Sequence, residues 1–161
     1  MAKKLEKTNA MRILAAAGLP HTLHSYDDSS AISGVEVAAQ LGEDPDHVFK
    51  TLVTQGKSGE HFVFMIPVAQ ELDLKKAAKA CGEKSVAMIK SRDLLPTTGY
   101  VHGGCSPIGM KKPFPTYCDE TCVLFDTIIF SGGRIGTQIE CAPADLIRLT
   151  RGKTAPITAE G

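Results

Sequence analysis

Tryptophan is absent from the 161 residues, and aromatic side chains together make up 6% of them. So few rings leave few platforms on which unpaired bases could stack. Charge of one sign does not prevail either, since 18 Lys and Arg stand against 18 Asp and Glu. A general field drawing the molecule onto a polyanion is therefore excluded, and any nucleic-acid contact must be local. Hydrophobic runs are short of the roughly 20 residues that cross a bilayer, and the stretch Met1 to Lys7 lacks the apolar segment of a signal peptide. The expected location is cytoplasmic, with no membrane partner. Cysteines at positions 81, 105, 118, 122 and 141 are odd in number and lack disulfide-framework spacing, which fits free thiols in a reducing compartment. Cys118 and Cys122 are the close pair, but no second Cys or His pair completes a zinc pattern. Neither a metal nor a cofactor is expected.

What is present reads as one folded domain. Hydrophobic residues at 43% and charged residues at 22% are ordinary globular values, and the length suffices to bury a core. A single domain is expected over 1–161, its core about 5–149 and its tail 152–161 frayed. Met11, Ile13, Leu14 and Ala17 recur at helical spacing after Thr8, and Gly18 and Pro20 stop that helix. His21 to Tyr26 alternates as a strand, and Ser33 caps a helix reaching Leu41 before Gly42. Asp44-Pro45-Asp46 turns the chain into an apolar strand, Val48 to Val53. A hairpin at Gly56-Lys57-Ser58-Gly59 leads to Phe62–Ile66, whose unbroken apolar run predicts a strand covered on both faces at the centre of the sheet. Further helices are predicted over Asp73–Cys81, Ser91–Leu95 (ending before Pro96) and Pro143–Thr150. Strands are predicted over Val123–Phe125 and Thr127–Phe130, and from a turn at Gly132-Gly133 to Glu140. The mixed order implies an α/β or α+β class with a curled mixed sheet, not a doubly wound dinucleotide fold.

Two glycine doublets stand out, in Gly103-Gly104-Cys105-Ser106-Pro107-Ile108-Gly109 and Ser131-Gly132-Gly133-Arg134-Ile135-Gly136. Each reads either as a tight turn or as a nest of successive N–H groups suited to a carbonyl oxygen or an anion. Lys50 adds to the second reading. It interrupts an apolar strand, so its ammonium group must snorkel to a solvated edge or point into a polar cavity, because an unpaired buried charge costs several kcal/mol. Facing glycine nests, it would orient an ester carbonyl or a phosphate.

In order along the chain, Val48-Phe49-Lys50-Thr51-Leu52, Leu72-Asp73-Leu74-Lys75-Lys76, the segment from Gly103 to Lys112 and the segment from Ser131 to Gly136 resemble the motifs of the YbaK family of aminoacyl-tRNA deacylases. The similarity runs from about Leu5 to Leu149. The wider family includes the editing domain of bacterial prolyl-tRNA synthetases and free-standing alanyl-tRNA(Pro) deacylases, and this chain most resembles the single-domain branch. The resemblance implies a compact mixed β-barrel flanked by helices and hydrolysis of cysteine mischarged on tRNA(Pro), with Cys-tRNA(Cys) left open. It also implies the site. Lys50 matches the family's essential lysine, which would hold the ribose or carbonyl end of the substrate. Backbone at Gly103, Gly104 and Gly132 would bind the aminoacyl group, and Tyr26, Thr51 and Ser131 match pocket-lining residues. Without the family, those three read as a half-buried sheet tyrosine, a strand threonine and an ST-turn serine. Gln138 departs from the aspartate of a number of relatives, which touches selectivity toward the amino group.

No histidine among His21, His24, His47, His61 and His102 carries the local signature of a base beside a nucleophile. The resemblance implies instead that the substrate's own thiol attacks its ester carbonyl and expels the tRNA, leaving a cyclic thiolactone. Cys105 is expected to be a small buried thiol. Lys75, Lys76, Lys111, Lys112 and Arg134 are candidates for meeting acceptor-stem phosphates at the pocket mouth. The implied partner that lends tRNA specificity is prolyl-tRNA synthetase, in a transient complex. Two rivals remain: a deacylase for another small amino acid, such as alanine on tRNA(Pro), and a non-catalytic tRNA- or synthetase-binding module. A redox or metal protein using Cys118 and Cys122 is more distant.

Overall fold

Capping chemistry sets most helix ends in the computed structural model, which describes residues 7–27 and 33–159. Met1 to Glu6, and with them the expected start of the resemblance at Leu5, lie outside that range. Thr8 caps α1 (Asn9–Ala17) by accepting from the Met11 N–H, and Gly18 closes it in the left-handed region at φ 68°. β1 (His21–Ser25) follows. Ser33 and Glu36 form a capping box on α2 (Gly34–Leu41). A 3-10 turn over Pro45–His47 delivers the chain to β2 (Phe49–Gly56), which pairs antiparallel with β3 (His61–Pro67). Asp73 caps α3 (Leu74–Cys81), and β4 (Val86–Met88) returns to the far edge of β2. After α4 (Ser91–Thr98), β5 (Thr116–Asp119) joins β3 in parallel. β6 (Ile128–Arg134) and β7 (Thr137–Cys141) form the last hairpin, ahead of α5 (Pro143–Thr150) and β8 (Lys153–Ala155).

Two sheets result: β1-β7-β6, antiparallel, and β4-β2-β3-β5-β8, mixed. One parallel bridge, Val48 to Ile129, links them. The expected curled sheet is thus a linked pair rather than a closed barrel. β3 is its central strand as the apolar run predicts, with Val63 to Ile66 fully buried. The three-stranded sheet sorts its residues by alternation. Ile128, Phe130, Ile139 and Cys141 face the core built with α1 and Leu146 of α5, while Ile129 packs with Val48, Val68 and Ala38 on the other side.

Several expectations are corrected. As far as Ala159 the segment after Gly152 is not frayed: β8 pairs with β5, Thr158 bridges Leu72, and Ile157 is fully buried against Phe64 and Ile66, while Glu160 and Gly161 lie outside the described residues. Val123 to Phe125 is no strand; a 3-10 turn spans Glu120–Leu124, nucleated by Asp119 accepting from Thr121, and Val123 and Leu124 are exposed. α4 runs through Pro96 to Thr98, since proline six residues into a helix of eight interrupts little of the hydrogen-bond ladder. The second glycine doublet is a bulge within β6, the turn itself falling on Ile135-Gly136. Short β4, β5 and β8 escape sequence reading because each is three or four residues long and takes its identity from a neighbour.

Candidate functional site

A cavity of about 370 Å³ lies where β2 meets the three-stranded sheet, a size suited to a small-molecule group rather than to a whole polynucleotide. β2 supplies Lys50 and Thr51, β6 and β7 supply Ser131 and Gln138, and Tyr26 comes from the end of β1. Gly34 of α2 contributes, as do Lys90 and Ser91 at the start of α4, and His102, Gly103 and Cys105 from the loop beyond it. Ser131 and Gln138 are brought together by cross-strand pairing. Six of the eight sequence-predicted residues therefore line one cavity: Lys50, Tyr26, Thr51, Gly103, Ser131 and Gln138.

Gly104 and Gly132 do not line it. Their role is close packing: a Cβ on Gly104 would stand 2.9 Å from the Arg134 carbonyl carbon and the Ile135 nitrogen, and one on Gly132 would stand 3.1 Å from Thr137 Cγ2. The two glycine motifs thus lean on each other. The nest reading is corrected at two donors, because the Gly104 N–H is bound to the Val101 carbonyl in a turn and the Gly133 N–H to Ser131 Oγ.

Among the described residues no Asp or Glu lines the cavity, although Lys50, Lys90 and His102 do. Lys50 is half-buried and has no hydrogen-bond or ion-pair partner among the described residues. A cation so placed is available to an anion or a polarised carbonyl. Among the described residues the Thr51 hydroxyl is buried without a hydrogen-bond partner, and the Gln138 carboxamide makes no side-chain hydrogen bond. A buried hydroxyl left unmatched in a cavity wall is available to a ligand. Cys105 is 7% exposed, and burial pushes its thiol up to about 11, so it is protonated at neutral pH and no nucleophile.

Sequence reasoning missed Lys90 and His102. A lysine between β4 and α4 carries no pattern that sets it apart from a solvated one. Conversely, none of Lys75, Lys76, Lys111, Lys112 and Arg134 lines the cavity. Lys76 donates to the Thr158 carbonyl and Lys111 to that of Pro96. Cys118 and Cys122 are buried in the α1 core, where burial and the neighbouring sulfur raise the Cys118 thiol.

Fold and cavity together define a mixed α/β protein with a small-molecule-sized cavity lined by cations. Residues 29–149 match the profile of the aminoacyl-tRNA editing domain, and the chain belongs to that family. Its substrate class is aminoacyl-tRNA. It is 48% identical, over 99% of both chains, to EbsC of Enterococcus faecalis, provisionally named a Cys-tRNA(Pro)/Cys-tRNA(Cys) deacylase. It is 27% identical to the uncharacterised YwhH of Bacillus subtilis over 75% of this chain and 76% of that one. A solved structure described provisionally as a trans-editing enzyme for prolyl-tRNA synthetase shares the fold at TM-score 0.84 and 24% identity, over 97% of this chain and 100% of that one. The hypothetical protein APE2540 does so at TM-score 0.85 and 22% identity, over 94% and 100%. Among the described residues no helix is long and apolar enough to cross a membrane.

Proposed function

We propose that this protein is a trans-editing deacylase that removes cysteine from tRNA(Pro), and that the same cavity admits Cys-tRNA(Cys). The observation that carries the reading is the Lys50 ammonium, which among the described residues has no partner and shares its cavity with no carboxylate. Lys50 holds the ribose or carbonyl end of the terminal aminoacyl nucleotide, Ser131 and the backbone at Gly103 border the aminoacyl group, and Gln138 meets the amino group with a neutral carboxamide. No protein nucleophile is required. The substrate's thiol loses its proton to solvent, its sulfur bonds to the ester carbonyl carbon, and the carbon–oxygen bond to the ribose breaks. The released ribose oxygen takes up a proton, and the cyclic thiolactone is then opened by water. The protein's part is to hold sulfur and carbonyl in line and to stabilise the developing oxyanion.

A neutral overall charge and few aromatics give little intrinsic hold on tRNA. Prolyl-tRNA synthetase, in a transient cytoplasmic complex, would supply that hold; the trans-editing description of a structural neighbour and the five free thiols support this setting. The test is a deacylation panel of Cys-tRNA(Pro), Cys-tRNA(Cys) and Ala-tRNA(Pro), with and without the synthetase. Both cysteinyl substrates should be cleaved, Ala-tRNA(Pro) and thiol-alkylated Cys-tRNA(Pro) should survive, and the synthetase should favour tRNA(Pro). Cleavage of the alkylated substrate at the normal rate would refute the thiol-assisted route, and preference for alanine would reassign the substrate.

A further inference from the structure

Beside the cavity, four side chains from β1, β7 and the connection between α2 and β2 converge. His24 Nε2 lies 2.6 Å from Glu140 Oε1, His47 Nδ1 lies 3.6 Å from Glu43 Oε2, and His47 Nε2 lies 3.7 Å from Glu140 Oε2. One donor atom from each of His24, Glu43 and Glu140 lies within 4.8 Å of the other two. Strand register builds this. His24 pairs with Gln138 and Thr22 with Glu140, so His24 and Glu140 are diagonal neighbours on the face opposite Ile139 and Cys141. Glu43 is set by the close of α2, where its N–H binds the Ala38 carbonyl.

We propose that His24, Glu43 and Glu140 bind a divalent transition-metal ion of the zinc class, with the His47 imidazole as the fourth donor. Imidazole and carboxylate are the donors such ions take. Ligand atoms about 2.1 Å from a tetrahedral ion stand roughly 3.4 Å from one another. The separations here fall on both sides of that distance, so side-chain rotation suffices to close the site. A second observation points to the same ion. His47 Nε2 is buried with no hydrogen-bond partner, and 3.7 Å from Glu140 is too far for one. The ring cannot readily swing away, because it stacks on Phe125 at 5.4 Å and 16°. A cation between that nitrogen and the carboxylates satisfies both. No Lys or Arg among the described residues pairs with Glu43 or Glu140; the groups that face the two acids are His24, His47 and the Thr127 hydroxyl, which donates to Glu140 Oε2. Sequence spacing conceals the set, since its members come from three separate elements. Bound there, the ion clips the three-stranded sheet to the connection leading into β2 and Lys50. This inference stands whether or not the deacylase reading does.

The test uses the full-length protein, stripped by a chelator and titrated with Zn²⁺ alone by calorimetry and thermal unfolding. One ion should bind per chain and raise the unfolding temperature. Glu43→Gln and His24→Asn should each weaken binding at least tenfold, whereas Cys81→Ser, at the half-exposed thiol, should change nothing. Cobalt substituted into the wild-type protein should show visible absorption without a sulfur-to-metal charge-transfer band, a readout independent of how the variants fold. The proposal is overturned if the wild-type protein binds no Zn²⁺, if Glu43→Gln and His24→Asn bind it as tightly as wild type, or if the cobalt spectrum reports sulfur.

Discussion

The cavity and the histidine–glutamate cluster adjoin on the three-stranded sheet, and they treat charge in opposite ways. In the cluster each imidazole lies near a carboxylate, and His24 and Thr127 both donate to Glu140. In the cavity Lys50, Lys90 and His102 face no acid among the described residues. The difference follows from alternation along β7 and the pairing around it. Gln138 points its neutral amide where Glu140, two residues on, places a carboxylate. Had the acid stood at 138, the cavity lining that holds Lys50 would have carried a carboxylate. Carboxylates opposite imidazoles suit a cation, whereas cations without a nearby carboxylate suit an anion or a polarised carbonyl.

Lys50→Ala gives the largest effect by which that contrast can be broken. Loss of one preorganised charge at the carbonyl should lower the rate of Cys-tRNA(Pro) deacylation about 10²- to 10³-fold. The unfolding temperature should stay that of wild type, because Lys50 has no partner to lose among the described residues. Turnover at the wild-type rate would remove Lys50 from the mechanism.

Glu140→Gln should behave in the reverse sense, costing about 1–3 kcal/mol of stability while leaving deacylation near wild type when both are measured in chelator. Burial works against ionisation of Glu140, yet the hydrogen bonds from Thr127 and His24, with the charges of His24 and His47, hold its carboxyl below the ordinary carboxylate value. A group so depressed contributes stability above its unfolded value, about 4.3, and that contribution fades as pH falls through the lower folded value. Denaturant titrations from pH 7 downward should therefore show the gap between wild type and Glu140→Gln narrowing as acid protonates the carboxylate. A gap that does not narrow would show that the carboxylate charge is not the cause.

Lys90→Ala is a smaller probe. Exposed at the cavity edge, Lys90 is placed to meet a backbone phosphate. KM for the charged tRNA should rise about threefold to tenfold with kcat little changed, and the salt dependence of log KM should weaken by about one unit of slope. An unchanged salt slope would return Lys90 to the solvated surface.

How far the sequence foretold these two regions depends on how local their signals are. Caps at Thr8, Ser33 and Asp73 and the apolar run of β3 declare themselves within a few residues, and those elements stand where predicted. Lys50 was conspicuous because a charge inside an apolar strand is costly unless it has a purpose. Glycine was more ambiguous. Its freedom at positive φ is used at Gly103, but Gly104 is required by the backbone of Arg134 and Ile135, a contact far away in sequence. The cluster of His24, Glu43, His47 and Glu140 was illegible for the same reason, since only strand register unites it. β8 and Ile157 likewise became visible only once β5 offered an edge.

Cys105 sharpens the contrast most finely, because it lines the cavity and yet belongs with the matched, structural groups. Burial lifts its thiol to about 11, so below pH 10 it stays neutral. Hydrolysis assisted by the substrate's own sulfur should instead rise with pH through the ordinary thiol value, about 8.5. Cys105→Ala should then keep the wild-type rate within about twofold across pH 7 to 9, at a cost of roughly 1 kcal/mol in stability from the small void left behind. Rates of Cys-tRNA(Pro) cleavage at several pH values decide it. Were the rise with pH to vanish in Cys105→Ala and survive when the substrate thiol is alkylated, the sulfur that cuts would be the protein's own.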